Sequence, residues 1–194
     1  MNTGATDRLF FAVYPDAAAA AALLERAEAL RVRHGLRGRS FAPSRLHVTL
    51  HFVGDHAGLP AALVETACAS ASSVRAPAFD IGVDRAASFV RRPRNRPFVL
   101  LVAEAQSAGV RRLQAALGDA MQHAGLGRHV DTRFTPHLTL MYDDAAVEPE
   151  PVDPVSWTVR EFRLMHSRIG RGQHEVLARW PLERAGAGAG ETMQ

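Results

Sequence analysis

The sequence contains one short pattern twice, ninety residues apart. Residues 46–53 read LHVTLHFV and residues 136–141 read PHLTLM, so each copy holds a histidine, an aliphatic residue, a threonine and a leucine in the same order. Side chains two residues apart on a β-strand point to the same face of the sheet. Each copy therefore predicts a strand with a histidine and a threonine on one face and two aliphatic side chains on the other.

The repeat is too specific to arise from composition alone. The chain has nine histidines and nine threonines among 194 residues, and this composition predicts about 0.1 copies of the motif by chance. One copy alone would be explained most simply by a strand with a hydrogen-bonded core histidine. Two copies put two polar pairs inside a sheet, which is costly unless these side chains line a wet cleft. We therefore expect His47, Thr49, His137 and Thr139 to face one cleft.

The rest of the chain alternates between strand patterns and helical patterns. Strands are predicted over residues 8–13, 46–53, 78–90, 98–103, 135–142, 157–167 and 174–180, and helices over 17–33, 59–73 and 107–124. The acidic, proline-rich segment 144–154 is predicted as a loop. Because each half holds one motif strand and one long helix, we predict an α+β fold. Its two pseudo-symmetric αβ lobes have antiparallel-rich sheets that face a central groove.

Length and composition predict a single bilobal domain over residues 8–184. Residues 1–7 are expected to form a flexible N-terminus, and the Gly- and Ala-rich residues 185–194 a disordered tail. No run of eighteen apolar residues and no secretory signal pattern is present. The single cysteine, Cys68, rules out an internal disulfide framework and is interpreted as helix packing. We expect a cytoplasmic monomer that does not bind membranes.

Every one of the 23 basic residues is arginine, and the formal net charge is +3. A coding bias that replaces lysine explains this, although planar guanidinium groups also suit phosphate. Four arginines fall in one proline-punctuated loop: Arg91, Arg92, Arg94 and Arg96. This loop is either a solvated basic turn or a contact for RNA phosphates.

Two histidines that face one cleft suit general acid–base chemistry, because an imidazole with an ordinary pKa of about 6.5 can give or take a proton near neutral pH. The threonine hydroxyls can donate to phosphate oxygens, and this scheme needs no metal or other cofactor. His51 lies four residues after His47 and offers an alternative, a three-histidine metal site with His47 and His137. It is otherwise interpreted as a partly exposed polar residue at the strand end.

The paired motifs resemble those of the 2H phosphoesterase superfamily, and most closely those of the RNA 2′,3′-cyclic phosphodiesterases, historically called 2′-5′ RNA ligases. The resemblance extends over most of the chain: RLFFAV at 8–13, SRLHVTLHFVGD at 44–55, FTPHLTLMYD at 134–143 and VREFRLMHSR at 159–168. It implies metal-independent hydrolysis of a 2′,3′-cyclic phosphate, at an RNA end or on a small nucleotide, to a 2′-phosphomonoester.

The resemblance also implies a role for each motif residue. His47 would be the general acid that protonates the departing 3′-oxygen, and His137 the general base that activates water. Thr49 and Thr139 would bind phosphate oxygens. Phe52 occupies the place of an aromatic that can face the terminal base.

The sequence departs from the family pattern at Tyr142. Many bacterial relatives carry there an arginine that can clamp the phosphate, whereas a phenol can donate one hydrogen bond or stack on a base. Among the other histidines, His166 lies in the C-terminal hairpin near Ser167 and is one candidate to line the groove, and the rest are interpreted as surface residues. Two alternatives to hydrolysis stay open, an RNA-binding protein or a 2′-5′ RNA ligase that uses the same groove with little hydrolysis.

Overall fold

The structure is a computed structural model that describes residues 4–90 and 93–184. Its helices are α1 (Ala17–Arg33), α2 (Ala61–Ser72) and α3 (Ala108–His123). Its strands are β1 (Asp7–Val13), β2 (Val48–His56), β3 (Phe79–Ser88), β4 (Arg96–Val102), β5 (His137–Asp143), β6 (Glu150–Val159), β7 (Glu161–Arg168) and β8 (Gln173–Pro181). The predicted tail, residues 185–194, and residues 1–3 lie outside the described ranges.

The strands form one antiparallel sheet in the order β6-β3-β4-β5-β2-β1-β7-β8. The first half of the chain supplies the unit β1-α1-β2, and the second half repeats it as β4-α3-β5. Strands β7 and β8 extend the sheet beyond β1, while β3 and β6 extend it beyond β4. The prediction of an α+β fold with two pseudo-symmetric halves is therefore confirmed. The two half-sheets are continuous, and within the described residues they meet through the register pair Val48–Leu138.

The helices cover one face of this sheet, and the core lies between them. Helix α1 begins at Asp16, whose carboxylate accepts a hydrogen bond from the backbone N–H of Ala19 at 2.9 Å, as expected of an N-cap residue. Helix α3 buries one stripe at helical spacing, which includes Leu113, Leu117 and Met121. Cys68 in α2 is half-buried against the same core. No helix in the described ranges is long and apolar enough to cross a membrane.

The helices cross the junction between the two half-sheets. Helix α1 belongs to the first half of the chain but packs on β6 of the second, with an Arg26–Asp153 ion pair of 2.8 Å. Helix α3 belongs to the second half but packs on β2 of the first half as well as on β3. The opposite face of the sheet carries a smaller apolar cluster, built around Phe10 and Met165.

The structure corrects the prediction for the segment before β7. Residues 144–154 were predicted as a loop and 157–167 as one strand, yet Glu150–Val159 forms β6 and the chain restarts as β7 after Arg160. Strand β6 lies at the edge of the sheet and pairs only with β3 among the described strands. Proline, which cannot donate a backbone hydrogen bond, is tolerated at such an edge, and Pro151 and Pro154 lie there.

Candidate active site

The two motifs lie where the half-sheets meet. Val48 and Leu138 are fully buried and pair with each other on antiparallel strands. This register brings His47 towards Thr139 and His137 towards Thr49. Four polar side chains thus meet on the face away from the helices.

The aliphatic residues of both motifs occupy the other face, as predicted. Val48, Leu50, Leu138 and Leu140 are at most 1% exposed and belong to the core beneath the helices. His47, Thr49, His137 and Thr139 are all half-buried on the groove face. The motif therefore divides each strand into a packing side and a side that contacts the groove.

Both motif histidines are held by the same backbone contact. Nδ1 of His47 lies 2.7 Å from the carbonyl oxygen of Arg45, and Nδ1 of His137 lies 2.7 Å from the carbonyl oxygen of Thr135. A carbonyl oxygen can only accept, so Nδ1 carries the proton in both rings. In each half the nitrogen presented to the groove is therefore Nε2, and the two rings have the same tautomer and orientation.

A β-bulge follows the threonine in both strands. In β2, Thr49 pairs with Ala12 and His51 pairs with Phe11, so Leu50 is the extra residue. In β5, the register likewise skips Leu140. The bulge shifts the alternation by one residue in each half.

The bulge overturns both predictions for His51. Its side chain is fully buried on the helix side, where Nε2 donates to the carbonyl oxygen of Gln114 at 2.8 Å and Nδ1 accepts from the N–H of Asp131 at 3.2 Å. Burial lowers the pKa of His51, which fits this neutral ring. His51 is therefore neither partly exposed nor able to share a metal ion with His47. The structure, over the ranges it describes, contains no cluster of three His, Cys, Asp or Glu side chains that could hold a metal ion.

The same bulge returns the next residue to the groove side. Phe52 pairs with Phe10, and Tyr142 pairs with Pro97 at the equivalent position of the other half. Phe52 is 46% exposed and Tyr142 is 40% exposed, which is unusual for large aromatic rings inside a sheet. Each half therefore presents one accessible aromatic ring at an end of the groove.

His47 lies inside an aromatic cluster. Its ring stacks on Phe10 with the ring centroids 4.9 Å apart, and it lies 5.5 Å from both Tyr14 and His174. This burial lowers the pKa of His47 to about 3, and positive charge on His174, His137 and Arg45 adds to the effect. The hydrogen bond to the Arg45 carbonyl acts in the opposite direction but is outweighed. In the protein without substrate, His47 is neutral at neutral pH.

His137 has a different aromatic neighbour in a different orientation. The ring of Phe89 meets that of His137 edge to face, at a centroid distance of 4.8 Å. Phe89 continues β3, where its N–H donates to the carbonyl oxygen of Pro97. The ring of His47 is thus stacked on its aromatic partner, whereas the ring of His137 meets its partner at a steep angle.

The structure places two histidines of the C-terminal hairpin on opposite faces of the sheet. His166 was a candidate for the groove, but it pairs with Leu9 on the helix side, and its Nε2 lies 2.6 Å from Oδ1 of Asp7. His174 was expected on the surface, but it lies in the groove beside His47. Burial lowers the pKa of His174 to about 4, and the charges of Arg45 and Arg8 contribute. The register of β1 with β7 has no shift, so His166 follows Leu164 onto the helix side. The bulge between β7 and β8 skips Leu177 and so changes the alternation along β8, the strand that carries His174.

Three arginines on the groove side were not predicted. Arg8 lies 5.4 Å from the Phe52 ring centroid, Arg163 lies 4.8 Å from that of Tyr14, and Arg45 lies 3.8 Å from that of Phe41. No spacing in the sequence signals the groove position of Arg45, whose carbonyl oxygen orients the ring of His47.

The described part of the predicted arginine loop lies beside Tyr142, because Arg96 and Pro97 pair with Asp143 and Tyr142. Arg91 and Arg92 lie outside the described residues, and Arg94 is exposed. Arg96 donates to the carbonyl oxygen of Asp144 and so helps to fix the hairpin. Of the four arginines, Arg94 is thus placed for an external contact, whereas Arg96 has a structural one.

Comparison with known proteins places the chain in a family. The profile described as 2′-5′ RNA ligase superfamily matches residues 14–171. No protein of curated function matches the chain significantly.

Solved structures agree with that match. Escherichia coli LigT complexed with ATP is 28% identical, with a TM-score of 0.69 over 92% of this chain and 99% of that one. A structure named only as a phosphoesterase is 27% identical, with a TM-score of 0.70 over 92% and 99%. TT0787 of Thermus thermophilus shares the fold, with 24% identity and a TM-score of 0.74 over 92% and 100%. The chain, with its two His-x-Thr strands facing one groove, belongs to the 2′-5′ RNA ligase superfamily of 2H phosphoesterases.

Proposed function

We propose that this protein hydrolyses a 2′,3′-cyclic phosphate, at an RNA end or on a small nucleotide, to a 2′-phosphomonoester. The observation that carries the proposal is the matched pair of Nδ1–carbonyl bonds, because it directs Nε2 of both His47 and His137 into one groove. An acid and a base on opposite sides of one phosphorus atom suit in-line displacement. The pseudo-twofold arrangement of the half-sheets provides such a pair.

The proposed reaction needs one proton transfer at each histidine. Nε2 of His137 takes a proton from water as the water oxygen bonds to phosphorus. The bond from phosphorus to the 3′-oxygen breaks, and Nε2 of His47 gives its proton to that oxygen. The 2′-ester bond is retained. The Thr49 and Thr139 hydroxyls donate to the two non-bridging oxygens, which holds the phosphorus between the rings.

His47 must be protonated to act as the acid, although its pKa in the free protein is about 3. The main cause of that low pKa is removal of the ring from water, followed by nearby positive charges. A bound phosphodiester brings a negative charge to the same place and favours the protonated ring. Substrate binding would therefore prepare His47 for its role.

The exposed rings of Phe52 and Tyr142 are suitable surfaces for nucleobases, because every base has a face that can stack on an aromatic ring. A substrate with one base bound at each end of the groove could stack one base on Phe52 and the other on Tyr142. Crystals of the relative LigT have been obtained with ATP, with phosphate and with 3′-AMP. These ligands support a nucleotide phosphate as the group that the groove accepts.

The test is incubation of a short RNA bearing a 2′,3′-cyclic phosphate with the protein in EDTA, followed by identification of the product isomer. We expect the 2′-phosphate alone, and none from the His47→Ala/His137→Ala double variant. Formation of the 3′-phosphate would contradict the assignment of the leaving oxygen.

Two further results of that experiment would contradict the proposal. Turnover that EDTA abolishes would replace the two-histidine mechanism by a metal-dependent one. Joining of a 5′-hydroxyl RNA in place of hydrolysis, or RNA binding without any turnover, would establish one of the two alternative functions.

A further inference from the structure

We propose that Arg45 is the phosphate-binding cation of this groove and replaces the arginine that many relatives carry at the position of Tyr142. The identification of the anion as phosphate rests on the function proposed above. The position and the unpaired state of the Arg45 guanidinium come from the structure itself.

Arg45 is fixed at the junction of the two motifs. It ends a short 3₁₀ turn, Pro43–Arg45, and its carbonyl oxygen accepts a hydrogen bond from Nδ1–H of His47. Its guanidinium carbon lies 3.8 Å from the ring centroid of Phe41. The backbone N–H of Phe41 donates to the carbonyl oxygen of Leu140 at 2.8 Å, which ties this ring to β5. The guanidinium therefore rests on a platform anchored to both motif strands, and stacking leaves its N–H edge for a ligand.

The three groove arginines differ in how their charge is compensated. Arg8 makes two hydrogen bonds to the carboxylate of Asp55, at 2.7 and 2.8 Å, and Arg163 bonds Glu161 at 2.6 Å. Arg45 has no ion pair with a carboxylate in residues 4–90 and 93–184. Its Nε is shielded from solvent and makes no hydrogen bond within those ranges. Burial also lowers the pKa of the Arg45 guanidinium.

A partly desolvated cation without a counter-ion is unfavourable, and natural proteins keep such groups mainly where a ligand compensates the charge. The charge of Arg45 reaches the catalytic groups, because it contributes to the lowered pKa values of His47 and His174. Arg8, His137 and Tyr142 are the other charged or titratable groups of the described residues that act on this cluster. The missing anion would therefore be bound beside His47, where the reaction places the phosphate.

The position of Tyr142 fits the same explanation. Its ring lies 5.8 Å from the Phe41 centroid, so Phe41 contacts both Tyr142 and Arg45. A second guanidinium at position 142 would be close to that of Arg45, and the like charges would repel each other. A single cation beside Phe41 is sufficient, and in this chain that cation is Arg45.

The experiment measures binding of inorganic phosphate by calorimetry at low salt, so that no turnover is needed. Arg45→Met keeps the apolar stem over Phe41 and removes the charge, and we expect phosphate affinity to fall about tenfold or more. Arg45→Lys keeps the charge but lacks the planar guanidinium, so its phosphate affinity should lie between those of the wild type and Arg45→Met. Arg112→Gln removes one charge from an exposed site on α3 and serves as the matched control, with unchanged affinity.

The replacement itself is tested by Arg45→Met/Tyr142→Arg, which should recover much of the lost affinity. Thermal unfolding of each variant verifies that it is folded. Wild-type phosphate affinity in Arg45→Met, or no recovery in the double variant, would overturn the proposal. Cyclic phosphate turnover is measured separately. A protein that binds phosphate through Arg45 but hydrolyses no cyclic phosphate would refute the proposed function and leave this inference intact.

Discussion

The two halves of the molecule hold their histidines in the same way and surround them differently. His47 and His137 share the tautomer, the backbone acceptor two residues earlier and the bulge after the threonine. His47 stacks on Phe10, whereas Phe89 meets the ring of His137 edge to face. A symmetric backbone can place two equivalent rings, but it cannot make one an acid and the other a base. The asymmetric side chains must supply that difference.

The equivalent positions show where the asymmetry lies. The residue whose carbonyl orients the histidine is Arg45 in one half and Thr135 in the other. The buried residue after the bulge is His51 in β2 and Met141 in β5. The half that contains His47 thus carries both the additional cation and the additional core histidine.

The largest expected effect comes from removing either ring of the proposed acid–base pair. His47→Gln and His137→Gln should each lower turnover of a cyclic phosphate by about 10²–10⁴-fold, because each removes one proton transfer. The pH profile separates them: the first variant should lose the alkaline limb, which reports the acid, and the second the acidic limb, which reports the base.

His123→Gln is the control for both variants, since His123 is exposed on α3 and its Nδ1 donates to a carbonyl of its own helix. Loss of the same limb in both catalytic variants would mean that the two halves do not have separate roles.

A second prediction makes the two halves more alike in the core. His51→Met gives β2 the residue that β5 has, and it leaves the carbonyl of Gln114 and the N–H of Asp131 without their partner. We expect the free energy of unfolding in urea to fall by about 1–3 kcal/mol. Turnover by the folded variant should be unchanged. A large loss of turnover in folded protein would assign His51 a part in catalysis.

A third prediction compares the two exposed aromatic rings. Phe52→Ala and Tyr142→Ala should each weaken binding of an oligonucleotide by about 1–3 kcal/mol if a base stacks on each ring. With a mononucleotide cyclic phosphate as substrate, only one of the two variants should raise KM. Tyr142→Phe keeps the ring and should behave as wild type. Equal effects of both alanine variants on the mononucleotide would refute separate base positions.

A fourth, smaller effect is expected on the free energy of unfolding at acidic pH. The pKa values of His47 and His174 are lowered to about 3 and about 4, while the unfolded chain titrates near its ordinary value of about 6.5. The unfolded state therefore binds protons first as pH falls. The stability that the neutral rings maintain above about pH 6.5 is lost progressively towards pH 3.

His47→Gln should make the free energy of unfolding less dependent on pH in that window. Denaturant unfolding at a series of pH values measures the slope. A slope in His47→Gln equal to that of wild type would show that the ring is not shielded from water.

The smallest effect is expected at the arginine loop. Neutralising Arg91, Arg92 and Arg94 should weaken RNA binding slightly and flatten its dependence on salt, by about 0.7 in the log–log slope for each phosphate that is no longer neutralised. Arg96 is left intact because it bonds Asp144. Binding measured over a range of salt concentrations tests this, and an unchanged slope would identify the loop as a solvated turn.

Local patterns were sufficient for much of this structure. The period of the motifs predicted that Val48 and Leu138 are buried and that the polar pairs lie opposite them, and helix α1 spans the predicted residues 17–33. Alternation is a local property, however, and one extra residue in a strand reverses it. That is why His51 was placed on the wrong face.

The remaining errors have long-range causes. Strand β6 contains prolines and forms because the edge of β3 accepts it, which depends on residues far away in the chain. The groove positions of His174 and Arg45 depend on how hairpins and turns pack around the motif strands. Neither is encoded in spacing, so no periodicity could have indicated them.

The helices that cross the junction have a consequence for the distance between the catalytic rings. The backbone link between the half-sheets is narrow. In the described residues β2 and β5 share only the Val48–Leu138 register pair, with a further backbone bond from Phe41 to Leu140, so we expect the link alone to resist a change in the angle between them weakly. Helices α1 and α3 pack across that link, so we expect their buried residues, such as Leu117, to help to set this angle. Residues buried on the far side of the sheet would then determine the geometry of the proposed site, although they never contact the substrate.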